Sequence, residues 1–214
     1  FHARGPEFDF LVASASEARA QAAGDTVTFV VNRNINYTNV CTYHCNFCAF
    51  SKGGNKREPA YDVTAEELSR RAEEAVARGA TELCLQGGIH PDYTGQTYLD
   101  ILNTVKAAAP EAHVHAFSPL EVHQGARALG ISTREFLHEL KKNGLGSMPG
   151  TAAEILHDDV SKILCPDKLS ARQWVDIVEE AHSAGIRTTA TIMFGHVDRY
   201  AHWAAHLIEL RELQ

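Results

Sequence analysis

The 214-residue sequence has no apolar run approaching the roughly 20 residues needed to cross a bilayer, and its opening residues are not expected to act as a signal peptide. It has no basic cluster either, and its formal charge is −7 at pH 7. Those two absences argue against a membrane span, an anionic-membrane surface and a nucleic-acid partner. Five cysteines in a chain of this length are too few for a disulfide scaffold. Three of them cluster, and clustered thiols are of use only in a reducing compartment. The expected setting is the cytoplasm, at low oxygen or protected from it. At 44% hydrophobic and 22% charged residues, the composition suits one sizeable core.

The clustered cysteines are Cys41, Cys45 and Cys48, at C-x3-C-x2-C spacing in Val40-Cys41-Thr42-Tyr43-His44-Cys45-Asn46-Phe47-Cys48-Ala49-Phe50. Three thiolates on one short loop can hold three irons of a cubic iron–sulfur cluster, whose usual ligand set is four cysteines. The fourth iron is then open to an outside ligand. A structural zinc site using the three thiolates with His44 or a distant histidine is the alternative. Zinc sites more often pair cysteines as C-x2-C knuckles, and no second knuckle is present. The spacing, with an aromatic just before the last cysteine, resembles the radical S-adenosylmethionine (SAM) enzymes. The resemblance implies a [4Fe-4S] cluster whose open iron chelates the amino and carboxylate groups of SAM.

Along the chain, residues Phe1 to Gly24 read as a helix packed on the outside or end of a barrel, with Phe10, Leu11, Ala18 and Ala22 on a loose apolar face. Residues 25–214 form the main domain. Val27-Thr28-Phe29-Val30-Val31 has the pattern of a strand buried on both faces, leading through Asn32–Asn36 into the cysteine loop. Lys52 to Glu58 reads as a mobile surface connection. Capping boxes at Thr64-Ala65-Glu66-Glu67, Ser132-Thr133-Arg134-Glu135 and Ser170-Ala171-Arg172-Gln173 each open a helix, and Gly79, Gly144 and Gly185 close them. A further helix is expected over Gln96–Ala109 and a last one around Trp203, Leu207, Ile208 and Leu210. The other strands are Glu82–Gln86, His113–Phe117, a short one near Leu145–Met148, and Arg187–Phe194.

Strands alternating with helices over short connections predict a parallel α/β fold. Each strand ends in an unusual loop: the cysteines, Gln86-Gly87-Gly88, Ser118-Pro119-Leu120-Glu121, Met148-Pro149-Gly150 and Gly195-His196. A barrel gathers all strand ends at one mouth, whereas a doubly wound sheet focuses its site at one switch point. The fold class expected is therefore a partial (β/α)6 TIM-like barrel of the radical SAM type, truncated after about five β/α units.

Gly87-Gly88 reads as a tight turn or as a stretch of bare backbone that a ligand can approach. By the resemblance, Gln86, Gly87 and Gly88 belong to the SAM site, the matching glycines contacting its amino group. The usual pattern there ends in an acid, where this chain has Ile89. Ser118 and Glu121 form either a helix cap or a mouth pair that holds a polar ligand or accepts a proton. Glu154 is a candidate for the SAM ribose hydroxyls, the alternative being an exposed helical charge. His196 is a candidate substrate contact. His113 and His115 alternate within a strand, so only one faces inward. Cys84 and Cys165 read as structural thiols. For Phe47 the resemblance implies a backbone or ring contact to adenine.

A closer resemblance rests on longer strings. Asn32–Cys41, Cys45–Phe50, Leu85–Ile89, His113–Glu121 and Thr191–His196 resemble the deazaflavin (FO) synthases, specifically the subunit or half that condenses tyrosine with a pyrimidine. The similarity runs from about Asp25 to the end. It implies that a 5'-deoxyadenosyl radical abstracts hydrogen from tyrosine, whose Cα–Cβ bond breaks. The 4-hydroxybenzyl fragment then joins 5-amino-6-ribitylaminouracil on the way to the F-420 chromophore. It further implies an electron donor such as ferredoxin or flavodoxin, and a cyclising radical SAM partner or fused domain. The alternatives are an aminofutalosine synthase of menaquinone biosynthesis and, from another class, a non-catalytic iron–sulfur or zinc-binding module.

Overall fold

The computed structural model describes residues 1–50 and 59–214, so the connection expected over Lys52–Glu58 lies outside the described residues. The chain divides into two compact units, Phe1–Val30 and Val31–Gln214. In the first, α1 (Pro6–Ala23) starts with Pro6, whose missing N–H costs nothing at a helix start, and with Glu7 and Asp9 near the positive end of the dipole. None of its residues is buried, so the loose apolar face sinks no side chain.

The second unit is built on five parallel strands: β1 (Asn32–Asn36), β2 (Glu82–Gln86), β3 (His113–Ala116), β4 (Ser147–Met148) and β5 (Arg187–Thr188). Their spatial order is β1-β2-β3-β4-β5, with no reversal. A sheet wound in one direction has no switch point, which sets aside the doubly wound alternative and fits the partial barrel. Right-handed crossovers in such an order put every connecting helix on one face. The connections run through α2 (Ala65–Ala77), α3 (Gly95–Ala108), α4 (Pro119–Leu129) with α5 (Thr133–Lys142), and α6 (Asp158–Leu164) with α7 (Ala171–Ser183). A last helix, α8 (Tyr200–Leu213), follows β5.

The core lies between sheet and helices. Ile35, Leu83, Leu85, Val114, Ala116 and Met148 from the strands form one cluster with Leu68, Leu102, Val105, Phe136, Leu137 and Leu140 from the helices. Alternation puts the intervening strand residues on the opposite face. The register aligns Asn34, Cys84, His115, Ser147 and Arg187 in one row across it. His113, two residues before His115, shares that face, and both rings meet Ser147. Only one of the two was expected to face inward, but strand side chains repeat every second residue, so the pair points the same way.

Three further expectations need correction. The run Val27–Val31 is not a doubly buried strand: Val27 and Phe29 are 86% and 87% exposed. Ladder pairing begins at Asn32, opposite Glu82, and the Val31 carbonyl just before it accepts from the Thr81 N–H (2.8 Å). The stretch expected to be strand over Arg187–Phe194 pairs only through Arg187–Thr188, since its partner β4 is two residues long. In α8 the buried residues are His202 and His206, while Leu207 and Ile208 stand exposed. Two helices, α4 and α6, stand beyond the expected elements. α4 is opened by a capping box at Ser118 with Pro119 in its first turn, and α6 is a seven-residue helix without a side-chain cap.

Candidate active site at the strand ends

The loop that carries Cys41, Cys45 and Cys48 leaves the end of β1 and is stitched to two other elements. On one side the Gly88 N–H donates to Thr38 O (3.0 Å), the Thr42 N–H to Ile89 O (2.9 Å), and the Ile89 N–H to Cys41 Sγ (3.4 Å). On the other side the Asn46 N–H donates to Leu164 O (3.1 Å) at the end of α6. All three cysteines are free of disulfides.

The close contact with the end of β2 explains the glycine pair. A Cβ on Gly88 would run into the Val40 carbonyl and stand 3.0 Å from Cys41 Cβ. A Cβ on Gly87 would run into the Tyr37 ring. Bare backbone is thus required by the cysteine loop itself, whatever ligand approaches. Gln86, half-buried at the last position of β2, pairs in register with Asn36, and its carbonyl accepts from the Tyr37 N–H (3.2 Å).

Ser118 and Glu121 meet as a capping box. Glu121 is 2% exposed. Its Oε2 accepts from the Ser118 N–H and hydroxyl (both 2.6 Å), and its Oε1 from the Gly87 N–H (3.2 Å) and the Tyr37 hydroxyl. One carboxylate therefore ties together the ends of β1, β2 and β3. Burial pushes its pKa up, and the four donors oppose that rise. Four donors on two oxygens match the ionised form, which accepts and does not donate. Burial, followed by the Glu121 charge, likewise drives the Tyr37 hydroxyl well above its ordinary value.

Around Cys45 lies a second group. Cys45 and Cys165 share a small core cluster with Ile155, Val160 and Leu164. The contact between the two thiols holds the Cys45 thiol below its ordinary value and pushes the Cys165 thiol up. Lys168 pairs with Glu154 at 2.9 Å, the two side chains being 11% and 10% exposed. Its ammonium also lies 5.6 Å from the centre of the Phe47 ring. Glu154 is not a helical charge: it sits in a turn at φ 44°. Phe47 is 43% exposed. Lys168 was legible only as one lysine after Cys165-Pro166-Asp167, with no motif to mark it.

His196 makes its contacts inside its own loop. Its Nε2 meets Met193 O at 2.7 Å, and its Nδ1 lies 2.9 Å from Val197 N and 3.0 Å from Asp198. The structure thus gathers the cysteines, the glycine pair, Ser118–Glu121, Phe47 and Glu154 around one loop, and leaves His196 bound to its own turn.

Among the described residues no three His, Cys, Asp or Glu side chains converge as a single metal ion would need. The three thiols do lie on one patch. Burial pushes the Cys41 thiol up, backbone N–H groups oppose this, and the neighbouring Cys45 and Cys48 thiols add to the rise. Three free thiols on one loop, one already receiving a backbone N–H, fit the ligand set of a cluster with three protein-bound irons. No helix among the described residues is long and apolar enough to cross a membrane.

The sequence matches the radical SAM superfamily over residues 35–208. It is 51% identical over 201 residues to the 5-amino-6-(D-ribitylamino)uracil–L-tyrosine 4-hydroxyphenyl transferase of Methanopyrus kandleri, covering 94% of this chain and 54% of that one. It is 48% identical over 213 residues to the FO synthase of Streptomyces coelicolor, covering 100% of this chain and 24% of that one. The chain spans about half the length of such transferases and a quarter of such synthases. Among solved structures, a methylornithine synthase superposes with a TM-score of 0.76 at 15% identity, over 99% of this chain and 58% of that one. That likeness speaks to the fold alone.

Proposed function

This chain belongs to the radical SAM superfamily, and we propose that it joins the 4-hydroxybenzyl group of L-tyrosine to 5-amino-6-(D-ribitylamino)uracil in deazaflavin biosynthesis. The observation that carries the reading is the 51% identity, over 94% of the chain, to a protein named for that transfer. Cys41, Cys45 and Cys48 would hold the [4Fe-4S] cluster. With SAM bound, that cluster supplies a 5'-deoxyadenosyl radical. Phe47 offers its exposed ring to adenine, Gln86, Gly87 and Gly88 offer backbone to the amino end of SAM, and Glu154 accepts from the ribose hydroxyls. Ser118 and Glu121 serve this site by position, since Glu121 fixes the Gly87 N–H. His196, in the loop between β5 and α8, is the proposed substrate contact. The work of the protein is then to hold two small substrates against the radical and to exclude water. A one-electron donor of the ferredoxin or flavodoxin kind, a partner or fused domain that closes the deazaflavin ring, and a cytoplasmic setting complete the reading.

The test is anaerobic. The protein is reconstituted with iron and sulfide, reduced, and supplied with SAM, tyrosine and the diaminouracil separately and together. Deoxyadenosine that depends on tyrosine, with a hydroxybenzyl adduct of the pyrimidine, supports the assignment. Deoxyadenosine with neither substrate consumed removes it in favour of another radical reaction, and failure to form a cluster returns the cysteine loop to zinc.

A further inference from the structure

On the sheet face opposite the helices, two imidazoles converge on one hydroxyl. Ser147 Oγ, at the start of β4, lies 2.7 Å from His115 Nδ1 and 2.7 Å from His113 Nε2. A hydroxyl has one proton to donate and two lone pairs, so it donates to at most one of the two rings. In the arrangement that links the tautomers, His115 carries its proton on Nδ1 and His113 accepts at Nε2, or the reverse. The arrangement is built in. His115 pairs in register with both Cys84 and Ser147, and the His113 ring occupies the space that a Cβ on Gly146 would need. His115 is half-buried in the middle of its strand, and its Nε2 has no hydrogen-bond partner among the described residues. His113, at the N-terminal end of β3, is exposed.

We propose that His115, Ser147 and His113 form a proton relay running from the substrate side of the sheet to solvent at the opposite end of the strands, with His115 as the base that takes a proton from the substrate amino group. The inference rests on the tyrosine-cleaving reading. For the nitrogen of an amino acid to become an imine as its Cα–Cβ bond breaks homolytically, the 5'-deoxyadenosyl radical must first take a hydrogen atom from the neutral amine, and the substrate ammonium must before that shed a proton. In the relay that N–H bond breaks, its electron pair stays on the amine, and the proton joins His115 Nε2. The Nδ1 proton of His115 passes to Ser147 Oγ, the Ser147 hydroxyl proton passes to His113 Nε2, and the His113 Nδ1 proton leaves to water. Nothing is oxidised or reduced. Burial lowers the His115 pKa, with Glu82 opposing and His113 assisting, so the free ring is a neutral acceptor. The other groups in the row beside it are Cys84 on β2 and Arg187 on β5.

The experiment compares cluster-loaded wild type with His115→Gln and Ser147→Ala, following adduct formation from SAM, tyrosine and the diaminouracil between pH 5.5 and 9, with SAM affinity measured alongside. The relay predicts a loss of about 10²–10⁴-fold in adduct rate for His115→Gln, the range for a general base. It also predicts disappearance of the acid limb of the pH profile, a smaller loss for Ser147→Ala restored by Ser147→Thr, and unchanged SAM affinity. Wild-type rates and profile in both variants overturn the relay while leaving the coupling reading intact. A wild type that forms no adduct overturns the coupling reading and the relay with it. Should the variants not fold, the proton inventory of the wild type in mixed light and heavy water decides. A curved inventory supports several protons in flight, and the absence of any solvent isotope effect overturns the proposal.

Discussion

Glu121, in the first turn of α4, accepts the backbone N–H of Gly87, at the end of β2, at 3.2 Å. The glycine that borders the cysteine loop is thus oriented by a carboxylate 34 residues away. Replacing Glu121 with Ala would strand the Gly87 N–H, the Tyr37 hydroxyl and the Ser118 N–H in a buried site. Each unsatisfied group costs about 1–3 kcal/mol. Glu121→Ala should lose several kcal/mol in chemical denaturation, and Glu121→Gln, which keeps one acceptor oxygen, distinctly less. Equal losses would show that the shared acceptor is not what matters.

Gly88 has no room for a side chain beside the Val40 carbonyl and Cys41. Gly88→Ala should displace the cysteine loop, at about 1–3 kcal/mol for the overpacking, and lower the iron and sulfide content after reconstitution. Gly79→Ala is the control. Gly79 adopts a positive φ, unlike Gly88, but its Cβ would meet nothing within 4 Å, so any strain in its variant is local and the cysteine loop should load normally.

Cys165 touches Cys45 yet lies outside the three-cysteine motif. Cys165→Ser should retain full cluster absorbance and iron content, whereas serine at Cys41, Cys45 or Cys48 should abolish both. Loss of loading in Cys165→Ser would make it a ligand or an obligatory part of the site.

Lys168 and Glu154 form an ion pair with both side chains about nine-tenths buried. Breaking such a pair from one side leaves a charge uncompensated, at about 3–5 kcal/mol, while replacing both partners is far milder. Lys168→Met should be strongly destabilised, and Lys168→Met with Glu154→Gln should recover most of the loss. A double-mutant cycle in urea denaturation measures the coupling, and additive losses would refute it.

Burial lowers the pKa of His115, His123 and His206 below the ordinary 6.5. The unfolded chain therefore binds more protons than the folded one as pH falls below 6.5, and stability drops with it. The loss begins near the unfolded value and is complete below the folded ones. Denaturation midpoints for the cluster-free protein should fall from pH 7.5 to 5.5, and a flat profile would show that these rings gain compensating partners on protonation.

Some of this was open to reading from the chain alone, because it depends on local chemistry. Thr64, Ser132 and Ser170 cap α2, α5 and α7 as their spacing to Glu67, Glu135 and Gln173 requires. The limits of β2, the strand–helix alternation and the cysteine spacing follow from residues close together in sequence. α4 shows where the same signal was outweighed: its capping box was visible, but a Pro after a strand reads equally well as a loop.

What only the tertiary structure decided are relations between residues far apart in sequence. The apolar run at 27–31 has every local mark of a strand, yet a strand needs a partner, and register with β2 starts only at Asn32, with Val31 alone of the run bonded to Thr81. The composition of α8 does not reveal that His202 and His206 turn inward while Leu207 and Ile208 turn outward. Gly87 meets Glu121, Cys45 meets Cys165, Lys168 meets Glu154, and His113 and His115 share Ser147. The sequence by itself determined the type of fold and the donor set of the cysteine loop, since periodicity and spacing are local properties of the backbone. The partners of the buried polar groups were settled by the parallel order of the strands, because burial forces each such group to pair with whatever the folded chain brings within reach.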